Sequence, residues 1–287
     1  MTADPQDESP RAAIGRFQTA TDQATPVPAK LLQATLNDAA VDPAHGDPLP
    51  PLWHWLYFLP DATMSNVGSD GHPKRGGFLP AVPLERRMWA GGRLTFHDDG
   101  LRVGDILTKD SEILDVQEKS GKAGDMVFVT VRHRVSSPRG LSVEEEQDIV
   151  YIAMPTTFKP PPPQEAPADP AWRDDLTIDP VRLFRYSALT FNGHRIHYDR
   201  RYAMDVEKYP GLVVHGPLQA MLLMESARRH VPSGRVASYS FRGVRPLFDF
   251  DTVALHGYGR DDGGHDLMTV NGDGLIGMKA TVHWAEA

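Results

Sequence analysis

The segment HGPLQAMLLMESARRH, His215 to His230, constrains the fold more than any other stretch of the chain. Pro217 suits the first turn of a helix, where its missing N–H costs nothing. Leu218, Ala220, Met221, Leu222, Leu223, Met224 and Ala227 are then apolar almost all round the helix axis. A helix with no polar face must be enclosed. Three strand-like segments follow: VASYSFRGVRPLF, TVALHGYGR and, after a turn-rich GDG, LIGMKATVHW. Antiparallel strands curled around a central helix satisfy both halves of this pattern, so the spacing predicts an α+β fold.

The same economy extends to the whole chain. Its 287 residues suit two domains of ordinary size. The proline-rich run FKPPPPQEAPADPAW, Phe158 to Trp172, divides them, because successive prolines lack N–H donors and favour an extended path. Ahead of it, RLTFH at Arg93, the pair ILTKDSEILDV and DMVFVTVRHRV joined through SGKAGD, and EEEQDIVYIAM read as strands. AKLLQATLNDA from Ala29 has helical spacing, and PLWHWLYFLP from Pro51 is a short apolar block expected in the core. The first half has no helix as apolar as the one at 215–230. Beyond the connector, Asp179 and Pro180 set up an N-cap and a first turn, Leu183, Phe184, Ala188 and Phe191 recur at helical spacing, and Asn192-Gly193 is a helix stop.

Composition excludes several functions. The chain has no cysteine, which removes disulfides, thiolate nucleophiles and cysteine zinc sites and suits a cytoplasmic protein. A net charge of -8 opposes binding to nucleic acid or to anionic membranes. The acidic N-terminus MTADPQDESPRAAIG reads as a flexible lead-in rather than a signal peptide, and no run is long enough to span a bilayer. Gly272, Gly274 and Gly277 spell the dinucleotide fingerprint in GDGLIG, but a strand rather than a helix follows, so they read as hairpin and bulge positions. His194 and His197 lack the i, i+4 spacing and third ligand of a zinc site, and no metal is expected. No G-x-S-x-G elbow is present, and Ser187 reads as structural.

Two elements remain. FRYSALTFNGHRIHYD crowds Asn192, His194, Arg195, His197 and Asp199 behind a helix end, where His and Arg complement the helix dipole. VVHG places His215 and Gly216 at the start of the enclosed helix, whose first N–H groups are free to meet a carbonyl oxygen that gains negative charge.

At these elements the sequence resembles the MaoC-like hydratases, the R-specific enoyl-CoA hydratase or hydratase 2 group of the hot-dog fold. ALTFNGHRIHYDRRYA and LVVHGPLQAM match that family's A-x-x-S-G-D-x-N-P-x-H-x-D-P motif and H-G element in order and spacing. The wording is similar to a subgroup that includes mitochondrial-type 3-hydroxyacyl-thioester dehydratases and bacterial mesaconyl-C4-CoA or itaconyl-CoA hydratases. The resemblance implies a double hot-dog: residues 1–157 a degenerate N-terminal unit, 158–175 a Pro-rich linker, 176–287 the catalytic unit. It places His197 at the catalytic His and Gly216 at the helix start near the thioester carbonyl. Asn192 stands where the family has its catalytic Asp, His194 where it has Asn, and Arg195 where it has Pro.

What the resemblance implies for function is a carbon–oxygen lyase that hydrates an enoyl-CoA reversibly, with a C5 dicarboxylic thioester (itaconyl-CoA or mesaconyl-C4-CoA) among the substrates it admits. His197 takes a proton from the attacking water, Asn192 orients that water or the ring, and N–H groups at Gly216 stabilise the enolate-like oxygen. His194, Arg195, His215 and Asp199 are the expected substrate-binding residues, with Arg195 either recognising a free carboxylate or pairing with Asp199. Coenzyme A enters as part of the substrate and no other cofactor is implied. The partner is an acyl-CoA thioester, and the chain is a monomer or homodimer. A hot-dog thioesterase and an acyl-CoA-binding module without chemistry stay open as alternatives.

Overall fold

A computed structural model describes residues 9–37, 42–97, 100–121 and 124–285. The first eight residues of the lead-in and the tip of the SGKAGD turn lie outside the described residues. The first half runs β1 (Phe17–Gln23), α1 (Pro26–Leu36), 3-10 turns at Trp53–Leu56 and Met64–Asn66, and then β2 (Arg86–Phe96), β3 (Ile106–Gly121), β4 (Gly124–Ser137) and β5 (Gly140–Ile152). The second runs β6 (Trp172–Thr177), α2 (Pro180–Leu189), a 3-10 turn at Arg195–His197, α3 (Arg200–Asp205), α4 (Gly216–His230) and β7 (Val236–Gly243), β8 (Thr252–Gly259), β9 (His265–Asn271) and β10 (Ile276–Trp284).

The strands form one ten-stranded sheet in the order β1-β3-β4-β5-β2-β7-β10-β9-β8-β6. Read outward from the central β2–β7 seam, the two halves carry their strands in the same order: second, fifth, fourth, third, first. The fold is therefore a duplicated hot-dog whose sheets join edge to edge. At the seam β2 and β7 pair antiparallel from Gly91↔Arg242 to Thr95↔Ser238.

α4 is buried on every side from Leu218 to Ala227, as its composition requires. Burying a Leu or Met side chain stabilises by about 1.5–3 kcal/mol, so this helix anchors the core that both halves share. Trp53 of the first half donates its indole N–H to Glu225 Oε1 of α4 at 2.8 Å. The first half itself has no counterpart of α4 among its described residues: only α1 and the 3-10 turns stand between β1 and β2.

Three local expectations need correction. α2 turns Leu183, Tyr186 and Ser187 inward, while Phe184 and Phe191 are exposed; Leu183 joins the shared core and Tyr186 and Ser187 meet His215. Strands β1 and β9 escape the sequence reading because FQTATDQ is largely exposed and HDLMTVN mixes charged and apolar residues. β6 (Trp172–Thr177) is likewise absent from the sequence reading, and it takes residues 172–175 of the expected 158–175 linker. Upstream, Gln164 and Ala166 bond to Ile276 and Gly274. Those glycines lie, as expected, in a β9–β10 hairpin, with Gly274 at φ +79 and a register shift between Ile276 and Met278.

Candidate active site

A cleft of about 1240 Å³ opens between the halves, lined by His72, Arg87 and Trp89 of the first and by Asn192, His194, His197, Glu207 and Gly216 of the second. Its second-half wall is built from the stretch behind α2. Asp179 caps that helix by accepting from Arg182 N. The helix stops at Leu189, and Phe191, at φ +48, makes the left-handed turn. Asn192 Oδ1 then accepts from His194 N at 3.0 Å, a side-chain turn typical of Asn.

The 3-10 turn that follows buries Ile196 and His197. Val213 N donates to Ile196 O, and His197 Nδ1 lies 2.7 Å from Val213 O. A carbonyl oxygen only accepts, so Nδ1 carries the hydrogen and Nε2 keeps the lone pair. His215 stacks on His197 with ring centroids 3.6 Å apart, and Ser187 Oγ lies 2.8 Å from His215 Nε2. Burial, reinforced by the His215 and His194 rings, holds the His197 pKa well below the ordinary histidine value despite the Val213 bond. Burial likewise pushes His215 down to about 3. His197 is thus neutral with a free lone pair on Nε2, and His215 a neutral plate behind it rather than part of the cleft lining.

His215 also stands as the N-cap residue of α4, without a side-chain capping bond. The first N–H groups of a helix have no partner within it, and Pro217 supplies none. Gly216 therefore brings an N–H to the cleft wall at the positive end of the helix dipole.

Opposite this wall, the first half contributes a second turn of the same kind. Asp70 Oδ1 accepts from His72 N at 3.0 Å, just as Asn192 accepts from His194. The two turns, Asp70-Gly71-His72 and Asn192-Gly193-His194, meet glycine to glycine. A Cβ on Gly71, which sits at φ +93, would lie 1.8 Å from Gly193 O. Arg195 N donates to Asp70 O. The contact sets the His72 and His194 rings 4.2 Å apart and the His194 and His197 rings 5.5 Å apart. His72 Nδ1 faces Asp70 Oδ2 at 3.1 Å. Burial and the Arg87 and His194 charges pull His72 down to about 4 against the Asp70 bond. Burial opposes ionisation of Asp70, but the bonds and charge of His72 outweigh it and hold the carboxyl far below its usual range.

Behind His194 lies a buried carboxylate. His194 Nε2 is 3.0 Å from Glu207 Oε1, and Arg86 Nε of β2 is 3.1 Å from Glu207 Oε2, with its guanidinium over the Tyr209 ring. The Arg195 guanidinium is engaged elsewhere: it forks onto Asp199 Oδ2 at 2.7 and 3.1 Å, donates to Ser69 O and covers Tyr202. Asp199 also caps α3 by accepting from Tyr202 N. Arg195 and Asp199 thus fasten the two turns from outside the cleft lining, whereas Asn192, His194, His197 and Gly216 converge on it.

Asp70, His72 and His194 hold their ligating atoms within 4.8 Å of one another, so this is where a metal would fit, although His72 and Asp70 are bonded to each other. Sequence reasoning missed Asp70, His72, Arg86 and Glu207, and it set Ser187 aside as structural. The one signal available was the echo of Asp-Gly-His at 70–72 in Asn-Gly-His at 192–194.

Comparison with known proteins identifies the family and the fold. A family model described as hydroxyacyl-thioester dehydratase type 2 matches residues 52–249. The mesaconyl-C(4)-CoA hydratase of Chloroflexus aurantiacus is 46% identical over 273 residues, 94% of this chain and 96% of that one. The mitochondrial hydroxyacyl-thioester dehydratase type 2 of Schizosaccharomyces pombe is 30% identical, over 70% of this chain and 74% of its own. Among solved structures, a MaoC-like dehydratase from Phytophthora capsici superposes with a TM-score of 0.69 at 14% identity, covering 95% of this chain and 97% of that one. A Mycobacterium tuberculosis protein described as a double hotdog fold gives 0.60 at 15% identity, covering 98% of each. Those two likenesses speak for the fold.

Proposed function

The chain belongs to the hydroxyacyl-thioester dehydratase type 2 family, and from that premise we propose that it hydrates a short enoyl-CoA bearing a second, free carboxylate, of the mesaconyl-C4-CoA kind. The protein is a hydro-lyase that interconverts enoyl and 3-hydroxyacyl thioesters. The dicarboxylic substrate rests on the 46% identity to the Chloroflexus enzyme.

The observation that carries the mechanism is the free Nε2 of His197, aimed by the Val213 bond at a cleft shared with the N-terminus of α4. Water attacks Cβ as His197 Nε2 takes its proton. Electron density moves to the thioester oxygen, where the Gly216 N–H and the helix dipole stabilise it, and Cα then takes the proton held on His197 Nε2, which restores the neutral base. With Oδ1 committed to His194 N, Asn192 offers its amide N–H to hold the water but no proton to exchange. Asp199 caps α3 and pairs with Arg195, which argues against its use as a thioesterase base.

The chemistry requires no metal, so turnover should survive exhaustive chelation. Cytoplasmic location and a monomeric or dimeric state complete the proposal, the latter read by sedimentation. The deciding assay incubates the protein with mesaconyl-C4-CoA and crotonyl-CoA and follows mass. Gain of one water supports hydration, release of free CoA would mark a thioesterase, and neither would leave a binding module. His197→Ala should lower kcat by about 1000-fold, within the range for general base catalysis. Unchanged turnover in that variant would remove His197 from the mechanism.

A further inference from the structure

The cleft is basic in an acidic protein. Over the whole chain Asp and Glu outnumber Lys and Arg by 38 to 30; among the described residues that line the cleft the balance reverses, with seven Lys and Arg to three Asp and Glu. Several of these cations are engaged: Arg86 with Glu207, Arg75 with the carbonyls of Val82 and Glu85, and Lys109 with the Phe58 ring. Lys159 and Arg245 have no ion-pair partner among the described residues, and Arg245 Nη1 donates to Pro161 O at 3.2 Å. Positive charge without a counter-charge, facing a cleft, attracts an anion.

Lys159 is brought there by the proline-rich connector, which the mechanism above leaves unused. The connector leaves the first half after β5, where Met154 N donates to Glu85 Oε2 at 3.2 Å. Phe158 then packs on Tyr209 and Phe248, with ring centroids 5.9 and 5.7 Å away, against the cluster that holds Ile196 beside the base. Pro161 O takes the Arg245 bond, and Gln164 O accepts from Ile276 N. Residues 154–161 all line the cleft, so the connector runs along it from one half to the other. Its far end is continuous with the start of α4: Arg245 N donates to Gly277 O, and the next residue, Met278, comes within 3.9 Å of the Cβ position of Gly216.

Resting on the reading that the substrate is a CoA thioester, we propose that the connector and the segment after β7 hold the nucleotide end of coenzyme A, with Lys159 and Arg245 paired to its phosphate groups. A thioester whose carbonyl sits at the Gly216 N–H sends its pantetheine arm out along the Gly277–Met278 wall, and its phosphates then meet Arg245 and Lys159 at the rim. Arg245, half-buried and held by Pro161, presents its remaining donors as a fork that matches phosphate oxygens. Lys159, exposed, adds a point charge. Prolines suit this use, since a segment with fixed φ keeps Lys159 in place with little freedom left to lose on binding.

The test compares the mesaconyl-C4 thioesters of CoA, of dephospho-CoA, which lacks the 3′-phosphate, and of pantetheine, which lacks every phosphate, on wild type, Lys159→Glu, Arg245→Gln and the double variant. The ratio of kcat/KM for the CoA thioester to that for the pantetheine thioester should fall about 10-fold in each single variant, the loss expected for a charge-assisted hydrogen bond, and further in the double. The fall should come through KM rather than kcat, with the dephospho-CoA thioester between the other two. Calorimetric titration with free CoA reads the same site without turnover: each single variant should weaken binding by a similar factor, and added salt should weaken it more in wild type than in the double variant. Equal loss on the CoA and pantetheine thioesters, or free CoA binding unchanged in the variants, overturns the subsite. So does a wild type that hydrates the pantetheine thioester as well as the CoA thioester, because the nucleotide is then not read and a carrier protein's phosphopantetheine would serve equally. If free CoA binds wild type and is lost in the variants while none of the thioesters is hydrated, the subsite stands and the substrate reading fails.

Discussion

Between β6 and β7 the second half places α2, α3 and α4; between β1 and β2 the first half has α1 and then short 3-10 turns and loops. The strand plan is the same in both, so the duplication has kept the sheet and let the helical layer diverge. Where α4 stands, a helix N-terminus and a neutral histidine meet. In the first half the equivalent stretch yields cleft instead, and its loop delivers Asp70, Gly71 and His72 against the other half's turn. The lesson is that the half without an enclosed helix still contributes to the cleft: it sends two side chains, His72 and Arg86, across to the other half.

Breaking the contact between the two turns tests that division most severely. Gly71→Ala puts a methyl into the Gly193 carbonyl at a φ of +93, so backbone must move as well as strain. The expected cost is about 4 kcal/mol, read by urea unfolding, with loss of hydration in whatever folded protein remains. Gly274→Ala, also at positive φ but with open space around the new Cβ, isolates the dihedral penalty at about 1 kcal/mol. A similar cost for both would mean that the turns do not lock.

The Arg86–Glu207–His194 chain is the next crossing point. Glu207→Gln leaves the Arg86 charge buried beneath Tyr209 without its carboxylate, and breaking such a pair costs about 3 kcal/mol. Arg86→Met with Glu207→Leu removes both charges and should return most of that stability, yet leave His194 unheld and turnover reduced. Recovery of stability and turnover together would show that the chain serves packing alone.

Much of this was readable in advance, and the limits have physical causes. α4 announces itself because seven apolar residues on all sides admit no other packing, and Asp179-Pro180 encodes its own cap. Asn192, His194, His197 and Gly216 come together because a local turn and one helix start suffice to place them. His72 is joined to His194 across some 120 residues of sequence by closure of the sheet, which no local period reports. The same holds for Arg86, since an Arg on a strand reads as solvent-facing until Glu207 is seen beneath it.

Acid should expose the histidines of both halves. His72 and His133 of the first sit near 4; His197 and His215 of the second are depressed as well, burial being the leading cause in each. All four are neutral in both folded and unfolded chains above about pH 6.5, so stability is level there. Below it the unfolded chain binds protons that the folded chain refuses. Each group then removes up to about 1.4 kcal/mol per pH unit until its folded pKa is reached. Melting temperatures from pH 8 to 4.5 should therefore be flat and then fall, and His133→Gln, in the first-half lining of the cleft, should soften the fall. A melt independent of pH down to 4.5 would contradict the burial of these rings.

Ser187 probes the second half alone. Its hydroxyl is bonded to the plate that backs the base, so Ser187→Ala should lower kcat by about 10-fold, close to the worth of one buried hydrogen bond, with little change in KM. A rise in KM with kcat intact would instead move Ser187 into the binding surface.

The smallest effect belongs to the pair that fastens the turns from outside. Arg195 and Asp199 are partly exposed, at 38% and 29% for their side chains, and an i, i+4 pair at that exposure contributes about 0.5 kcal/mol. Arg195 also donates to Ser69 O of the opposing loop, so Arg195→Ala should loosen the seating of His72 as well as the pair. If the two halves act as one site through that seating, kcat/KM falls by the same few-fold factor on mesaconyl-C4-CoA and crotonyl-CoA, and melting shifts by only a degree or two. A loss confined to the dicarboxylic thioester would instead assign carboxylate recognition to Arg195.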